Sequence, residues 1–386
     1  MGSRPYGKDM RNILKFIVSL GVPQFVTIIV NFILVKYVSD DTYKIYILIT
    51  SSALMAASVV ISITNRIILT TSEDIDSGSL SVLQLSILVV SSFVAFIVYD
   101  ISGINIFFAL ITSFFIIFYE ELRTKLQKEL YSGKYLFVSL FRSLSFLVLI
   151  LITLLFEQRL ISLAFMVSYI IPILCFRYDK KDSKCGFKID LKFLFSRIYL
   201  FSYSGVLPII SLLPIAMLSR YADKTMALKV WVTAFSIYSV GNVVNAGLKK
   251  YLLAKYCEKG NATIDFSSMR YLTIILFVFL VIVNILSYIY IPSTLGVNSI
   301  EFSYSLLFLS ISCIFSNILS PYSELLQSKL EYKFLLFSAF LNIFVMIVLS
   351  LYMIRPFGVP GVAIAFLLAY FLQNILIYIK CRKMSI

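Results

Sequence analysis

Read for hydrophobic and polar positions, the chain falls into twelve apolar stretches separated by short polar segments. Their approximate spans are 12–37, 43–65, 79–98, 103–119, 135–156, 160–176, 193–219, 229–251, 270–291, 302–320, 334–354 and 357–379. A helix crossing a bilayer core takes about 20 apolar residues, with a range of roughly 17–25. No stretch alternates apolar and polar residues at period two, which sets aside a transmembrane β-barrel. The first stretch follows a basic run, Met1–Arg11, and is too long for a signal peptide. No small-x-small cleavage site follows it, so it is expected to remain as the first helix. The pattern predicts an all-α integral membrane fold of about twelve transmembrane helices.

Composition agrees with that pattern. Hydrophobic residues are 60% of the chain and charged residues 14%, against roughly 45–50% and 25% in a soluble domain. Histidine is absent, which excludes imidazole general bases and histidine metal ligands. The five cysteines, Cys175, Cys185, Cys257, Cys313 and Cys381, are odd in number and form no CxxC pair. They indicate neither a disulfide framework nor a zinc site. No cofactor, metal or nucleic-acid partner is expected.

The net charge of +14 is unevenly placed. With both termini cytoplasmic, the inner segments hold 26 of the 34 Lys and Arg residues and the outer ones 7, with Arg142 inside a helix. The positive-inside rule therefore predicts that both termini are cytoplasmic. The stretch after the second segment, with Glu73, Asp74 and Asp76 against Arg66, disagrees locally, but acidic residues weigh little in this rule. The longest inner connection, 177–192, carries Lys180, Lys181, Lys184 and Lys188 and divides the chain nearly in half. It reads as a linker between two six-helix repeats, 1–184 and 185–386, as a basic loop against anionic lipid, or as both.

The halves share features. Ser19-Leu20-Gly21-Val22-Pro23 and Ser204-Gly205-Val206-Leu207-Pro208 interrupt the opening helix of each half with Gly and Pro. Leu126-Gln127 and Leu326-Gln327 precede the fifth and eleventh stretches. Lys134, Ser139 and Phe141 match Lys333, Ser338 and Phe340 at a fixed offset of 199. An even number of helices per half makes such a repeat parallel, and matching Gly/Pro interruptions point towards a substrate pathway. Chance similarity among apolar, serine-rich helices is the competing explanation.

Polar residues recur on single helical faces. One stripe is Gln24, Thr27 and Asn31, and a second is Ser51, Ser58, Ser62 and Asn65 beside Arg66. A third is Tyr238, Asn242, Asn245 and Lys249, and a fourth Ser305, Ser312, Ser316, Ser320 and Ser323. Each alone reads as a helix-packing seam or as pathway lining. Two stripes in each half favour a shared polar lumen. Arg142 lies about eight residues into its helix, roughly 12 Å from the inner end, too deep to be explained by snorkelling alone. No carboxylate is expected at that depth. Arg142 therefore faces a watery cavity or lies at a helix end placed wrongly by hydropathy. With Arg66 and Lys249 at the inner mouth and Lys36, Arg220 and Lys224 at the outer one, it suggests a cation-lined path for an anion. The path also lacks the buried acid or histidine that a proton or sodium site usually uses.

These features resemble the Wzx-type O-antigen flippases of the MOP exporter superfamily. The opening is similar in Ser19-Leu20-Gly21-Val22-Pro23-Gln24, Val35-Lys36-Tyr37-Val38-Ser39 and Asp41-Thr42-Tyr43. The last stretch is similar in Phe357-Gly358-Val359-Pro360-Gly361-Val362-Ala363-Ile364-Ala365, and Leu126-Gln127 fits as well. Ser219-Arg220-Tyr221 departs from the family, which often has an acid before this arginine. The resemblance implies two six-helix bundles around a V-shaped cavity in a bacterial inner membrane. It implies as cargo an undecaprenyl-diphosphate-linked repeat unit, flipped to the periplasmic leaflet by alternating access. Membrane lipids, and the polymerase and chain-length regulator of the same pathway, are the partners it implies. Three alternatives stay open, one of them a non-transporting scaffold or lipid-binding membrane protein with no distinctive signature. An O-antigen polymerase would need larger outer loops, and a cation-coupled multidrug exporter typically places an acid within a helix.

Overall fold

The computed structural model describes residues 6–70, 77–128, 132–176, 197–222, 225–259 and 266–384. Apart from short turns these residues are helical, and no strand occurs among them. The helices are α1 (Tyr6–Tyr37), α2 (Asp40–Thr70), α3 (Ser77–Tyr99), α4 (Ile104–Lys128), α5 (Ser132–Phe156) and α6 (Ile161–Cys175). They continue as α7 (Ile198–Tyr221), α8 (Thr225–Lys259), α9 (Phe266–Leu295) and α10 (Ser299–Ser328). The final helical stretch, Tyr332–Lys383, is broken at Gly358, where φ is 60° and ψ −134°. Only glycine adopts that conformation freely. Its two arms, 332–357 and 359–383, are α11 and α12. Among the described residues nine helical stretches are long and apolar enough to cross a membrane. The chain is a multi-pass membrane protein.

The contacts group the chain into two compact units, residues 1–36 with 226–386, and residues 37–225. Each holds six helices, and these groups do not follow the sequential halves 1–184 and 185–386. The opening helix of the first half, α1, packs with α8–α12, and that of the second, α7, packs with α2–α6. Local chemistry explains the grouping. In α1, Gln24 Nε2 donates to Ser239 Oγ (2.6 Å) and Asn31 Nδ2 to Ser236 Oγ (2.8 Å), both on α8. Gly21 of α1 faces Val243 of α8. In the other unit Gly205 of α7 lets Val59 and Ile63 of α2 approach to 3.4–3.5 Å of where its Cβ would stand. Tyr99 of α3 donates to the Leu212 carbonyl of α7 (2.8 Å).

Both opening helices run unbroken through their prolines, Pro23 in α1 and Pro208 and Pro214 in α7. The interruption expected at Gly21-Pro23 and Gly205-Pro208 is therefore absent from the backbone. A membrane helix tolerates proline where neighbouring helices support it, and here the adjacent glycines serve close packing instead.

Helix α2 is the centre of its unit. Ala53, Ala56, Ala57 and Val60 are wholly buried, and small residues let other backbones come close. Ser113 of α4 donates to the Ala53 carbonyl (3.2 Å) and Ser91 of α3 to that of Ala56 (3.0 Å). In the other unit hydrogen bonds between side chains join neighbouring helices: Asn284–Ser310 (2.8 Å), Asn317–Thr273 (2.9 Å) and Asn342–Gln373 (2.8 Å).

A Cβ on Gly361 of α12 would stand 2.3 Å from the Met353 carbonyl oxygen of α11. Gly361→Ala should lower stability by about 1–3 kcal/mol, or more because backbone must yield. Thermal unfolding of the purified protein in detergent reads this, and an unchanged midpoint would contradict the close crossing.

Candidate functional site: a guanidinium and phenol cluster

Within the unit 37–225, charged and aromatic side chains of α4, α5 and α6 converge. Tyr119, Glu120 and Arg123 share one side of α4 through their i, i+3 and i, i+4 spacing. Tyr135 and Arg142 lie seven residues apart on α5 and so share a face, and Tyr169 comes from α6. The Tyr119 and Tyr169 rings meet edge to face at 5.3 Å. Phe165 and Phe146 extend this aromatic wall at 5.2 and 5.4 Å between successive rings.

Two guanidinium groups flank the Tyr119 ring. Arg123 lies 5.5 Å from its centroid and 4.6 Å from that of Tyr135. Arg142 lies 5.9 Å from Tyr119 and 4.7 Å from Tyr169. The ring quadrupole attracts each cation by about 0.5–2 kcal/mol, which offsets part of the cost of holding it away from water. Their remaining partners differ. Arg123 donates to Glu120 Oε1 and to the Tyr135 hydroxyl, although its buried Nε has no acceptor. Arg142 has one long bond, 3.5 Å to Ser143 Oγ, and no carboxylate within 4.0 Å among the described residues. Glu121 is engaged elsewhere, with Lys125 and Gln84. The cluster thus sets two guanidinium groups against one carboxylate.

Depth makes this arrangement costly. Arg142 is about 15 Å along α5 from its first residue, and Glu120 about 12 Å along α4 from its last, at 1.5 Å per residue. The Glu120 and Arg123 side chains are 23% and 18% exposed, and Arg142 is also partly exposed. Charged groups at that depth do not face hydrocarbon, because lipid exposure costs several kcal/mol. Glu120 also corrects the expectation that no carboxylate reaches the depth of Arg142. Another acid, Glu324 of α10, is buried and accepts from Gln327 Nε2 at 3.1 Å and Ser323 Oγ at 3.3 Å.

The other residues singled out from the sequence occupy varied places. Gln24 and Asn31 bond across the contact between α1 and α8. Asn242 and Ser312 lie beside the Tyr238 hydroxyl, Cys313 Sγ is 3.9 Å from Asn242 Oδ1, and Ser316 is buried. Lys36 is exposed in the last turn of α1. Arg220 is exposed and donates to the Ile97 carbonyl of α3. The side chains of Arg66, Asn245 and Lys249, and the 177–192 connection, lie outside the described ones.

Tyr119, Glu120, Arg123, Tyr135 and Tyr169 were not singled out from the sequence. The available signal was the spacing within Tyr119-Glu120-Glu121-Leu122-Arg123. Hydropathy ends the fourth stretch at 119, whereas α4 continues to Lys128, because paired charges inside a helix lower its hydropathy without ending it.

No family model matches the sequence, and no curated protein matches it. Solved structures do. The chain is similar to the lipid II flippase MurJ in an inward closed conformation, at 14% identity and TM-score 0.68, covering 96% of this chain and 87% of that one. It is similar to an outward-facing multidrug resistance MATE transporter of the MOP superfamily, at 14% identity and TM-score 0.62, covering 97% and 96%. A MOP superfamily transporter from Pyrococcus furiosus Vc1 (DSM3638), noted for the reverse polarity of its binding pocket, matches at 14% identity and TM-score 0.58, covering 100% and 98%. The fold is that of the MOP transporters.

The bonds from α1 to α8 should act as packing bonds. A double-mutant cycle of Asn31→Ala and Ser236→Ala should give a coupling of about 0.6 kcal/mol in unfolding stability. Zero coupling would show that the bond does not hold α1.

Proposed function

We propose that the chain flips an undecaprenyl-diphosphate-linked oligosaccharide repeat unit from the cytoplasmic to the periplasmic leaflet of a bacterial inner membrane. One observation carries this reading: Arg142, deep in α5, rests on tyrosine rings with no carboxylate of its own. Guanidinium is suited to phosphate, presenting five donors in a fixed fork, and Arg142 uses one of them weakly. An anion passing through would satisfy the rest. The fold shared with a lipid II flippase supports a lipid-linked cargo.

In this reading both termini are cytoplasmic and the cluster sits nearer the inner face. Arg66, Lys249, Asn245, Lys36 and Arg220 belong to this reading by their positions in the sequence alone. Asn242, Ser312 and Ser316 are its candidate neutral groups, whereas Gln24 and Asn31 are taken up by packing bonds to α8. The isoprenoid tail stays in the bilayer while the diphosphate and sugars cross. The polymerase and chain-length regulator of the same pathway would take up the product.

A second reading has its own support. Glu120 and Glu324 are carboxylates inside helices, as a cation-coupled exporter requires, and MATE transporters share the fold. A strain lacking the gene separates the two. Loss of surface repeat units, with lipid-linked precursors left facing the cytoplasm, supports the flippase. A single repeat unit on the surface lipid would identify a polymerase, and an unchanged ladder on a polysaccharide gel would favour the multidrug exporter.

Arg142→Ala should reduce glycan export by at least about 100-fold, the scale of losing a buried charged hydrogen-bonding partner. Arg142→Lys should retain more, and both variants should insert normally. Full export by the alanine variant would remove Arg142 from the path. In proteoliposomes, flipping should persist without a proton or sodium gradient at zero potential. Strict dependence on either would instead place a coupling site at Glu120 or Glu324.

A further inference from the structure

We infer that Glu120 is a resident counter-anion, held by Arg123 until an incoming diphosphate displaces it and bridges Arg123 and Arg142. The ligand class and the choice of probe rest on the function proposed above; the exchange itself rests on the cluster's geometry.

Four observations carry it. Arg123 and Arg142 both lie over one ring, Tyr119, at 5.5 and 5.9 Å from its centroid, so the two guanidinium groups are neighbours. One carboxylate, Glu120, accompanies them, and it is bonded to Arg123 and not to Arg142. Donors remain uncommitted on both arginines: Nε of Arg123 is buried without an acceptor, and Arg142 has a single 3.5 Å bond. Finally, Glu120 and Arg123 are 23% and 18% exposed at their side chains, so an anion can reach the pair that it would part.

The chemistry follows from these contacts. A monophosphate approaching Arg142 finds one guanidinium, because Glu120 occupies the other. A diphosphate carries two phosphoryl groups, one for each arginine, and bidentate guanidinium contacts favour such oxyanions over a single carboxylate. Displaced Glu120 has Tyr135 and the exposed side of the cluster to turn towards. It therefore acts as a specificity residue. It raises the threshold for ligands with one charged group and prevents two cations from repelling each other when no ligand is bound. Tyr119, whose ring both cations approach, helps to keep them near each other.

The test uses the full-length purified protein in detergent micelles. Binding isotherms are measured for undecaprenyl diphosphate, undecaprenyl phosphate and inorganic pyrophosphate. Glu120→Gln should tighten undecaprenyl diphosphate by about tenfold or more, since the charged competitor is gone. The same change should tighten undecaprenyl phosphate by less than about threefold. In an Arg123→Gln background Glu120→Gln should have no effect, which a purely structural role would not produce. Glu120→Asp should bind as wild type does. Unchanged or weaker diphosphate binding by Glu120→Gln overturns the proposal, as does equal tightening in the Arg123→Gln background. Should Glu120→Gln not fold, carbodiimide labelling of wild-type Glu120, read by peptide mass spectrometry, replaces it. Undecaprenyl diphosphate should increase that labelling, and constant labelling overturns the exchange. Pyrophosphate binding as tightly as the lipid identifies the free diphosphate as sufficient. Binding of the lipid alone identifies the headgroup, and both results support the site. An unaltered glycan ladder in the deletion strain, beside an intact Glu120 effect, sinks the flippase reading and leaves the exchange standing.

Discussion

Hydrocarbon offers no hydrogen-bond partners, so each polar group at membrane depth must be satisfied by the protein, by water or by what the protein carries. Most of the described polar side chains meet that demand internally. Serines and threonines bond carbonyls three or four residues back on their own helix, as Thr64, Thr153 and Ser168 do. Amides cross to a neighbouring helix, as Asn284 and Asn342 do. The arginine pair of α4 and α5 meets it incompletely. Its cations are supported by ring faces and one carboxylate, and donors remain.

That contrast separates structural polarity from functional polarity within one protein. A polar stripe on a helical wheel does not distinguish them. Gln24 and Asn31 looked like pathway lining or a packing seam, and both spend their amides on serines of α8. Arg142 was legible from the sequence because one charge in a run of apolar residues needs no partner to be noticed. The residues around it were not legible. Tyr119 and Tyr169 read as ordinary aromatic residues of membrane helices. Glu120 and Arg123 fall just beyond the fourth apolar stretch, because a hydropathy window counts two opposite charges as doubly polar while their pairing nearly cancels them. The all-helical class and the approximate number of helices follow from apolar length alone, which is why both were legible.

Helix ends and breaks were read less well, for a related reason. Proline and glycine mark places where a helix can stop, yet neighbouring packing decides whether it does. The pairs Gly21 with Pro23 and Gly205 with Pro208 stay helical. Gly358, in a stretch equally rich in glycine and proline, takes a positive φ and ends α11. Gly361, three residues on, then crosses the backbone of α11 where no larger residue fits.

The grouping of α1 with α8–α12 bears on how the protein is made. The serines that satisfy Gln24 and Asn31 come 215 and 205 residues later in the chain. At a synthesis rate of roughly 5–20 residues per second, α1 waits about 10–40 s for them. Through that interval the α8 serines that its amides bond in the folded protein have not yet been made. The unit 37–225 can close first, around α2, while the first helix to be made is among the last to dock.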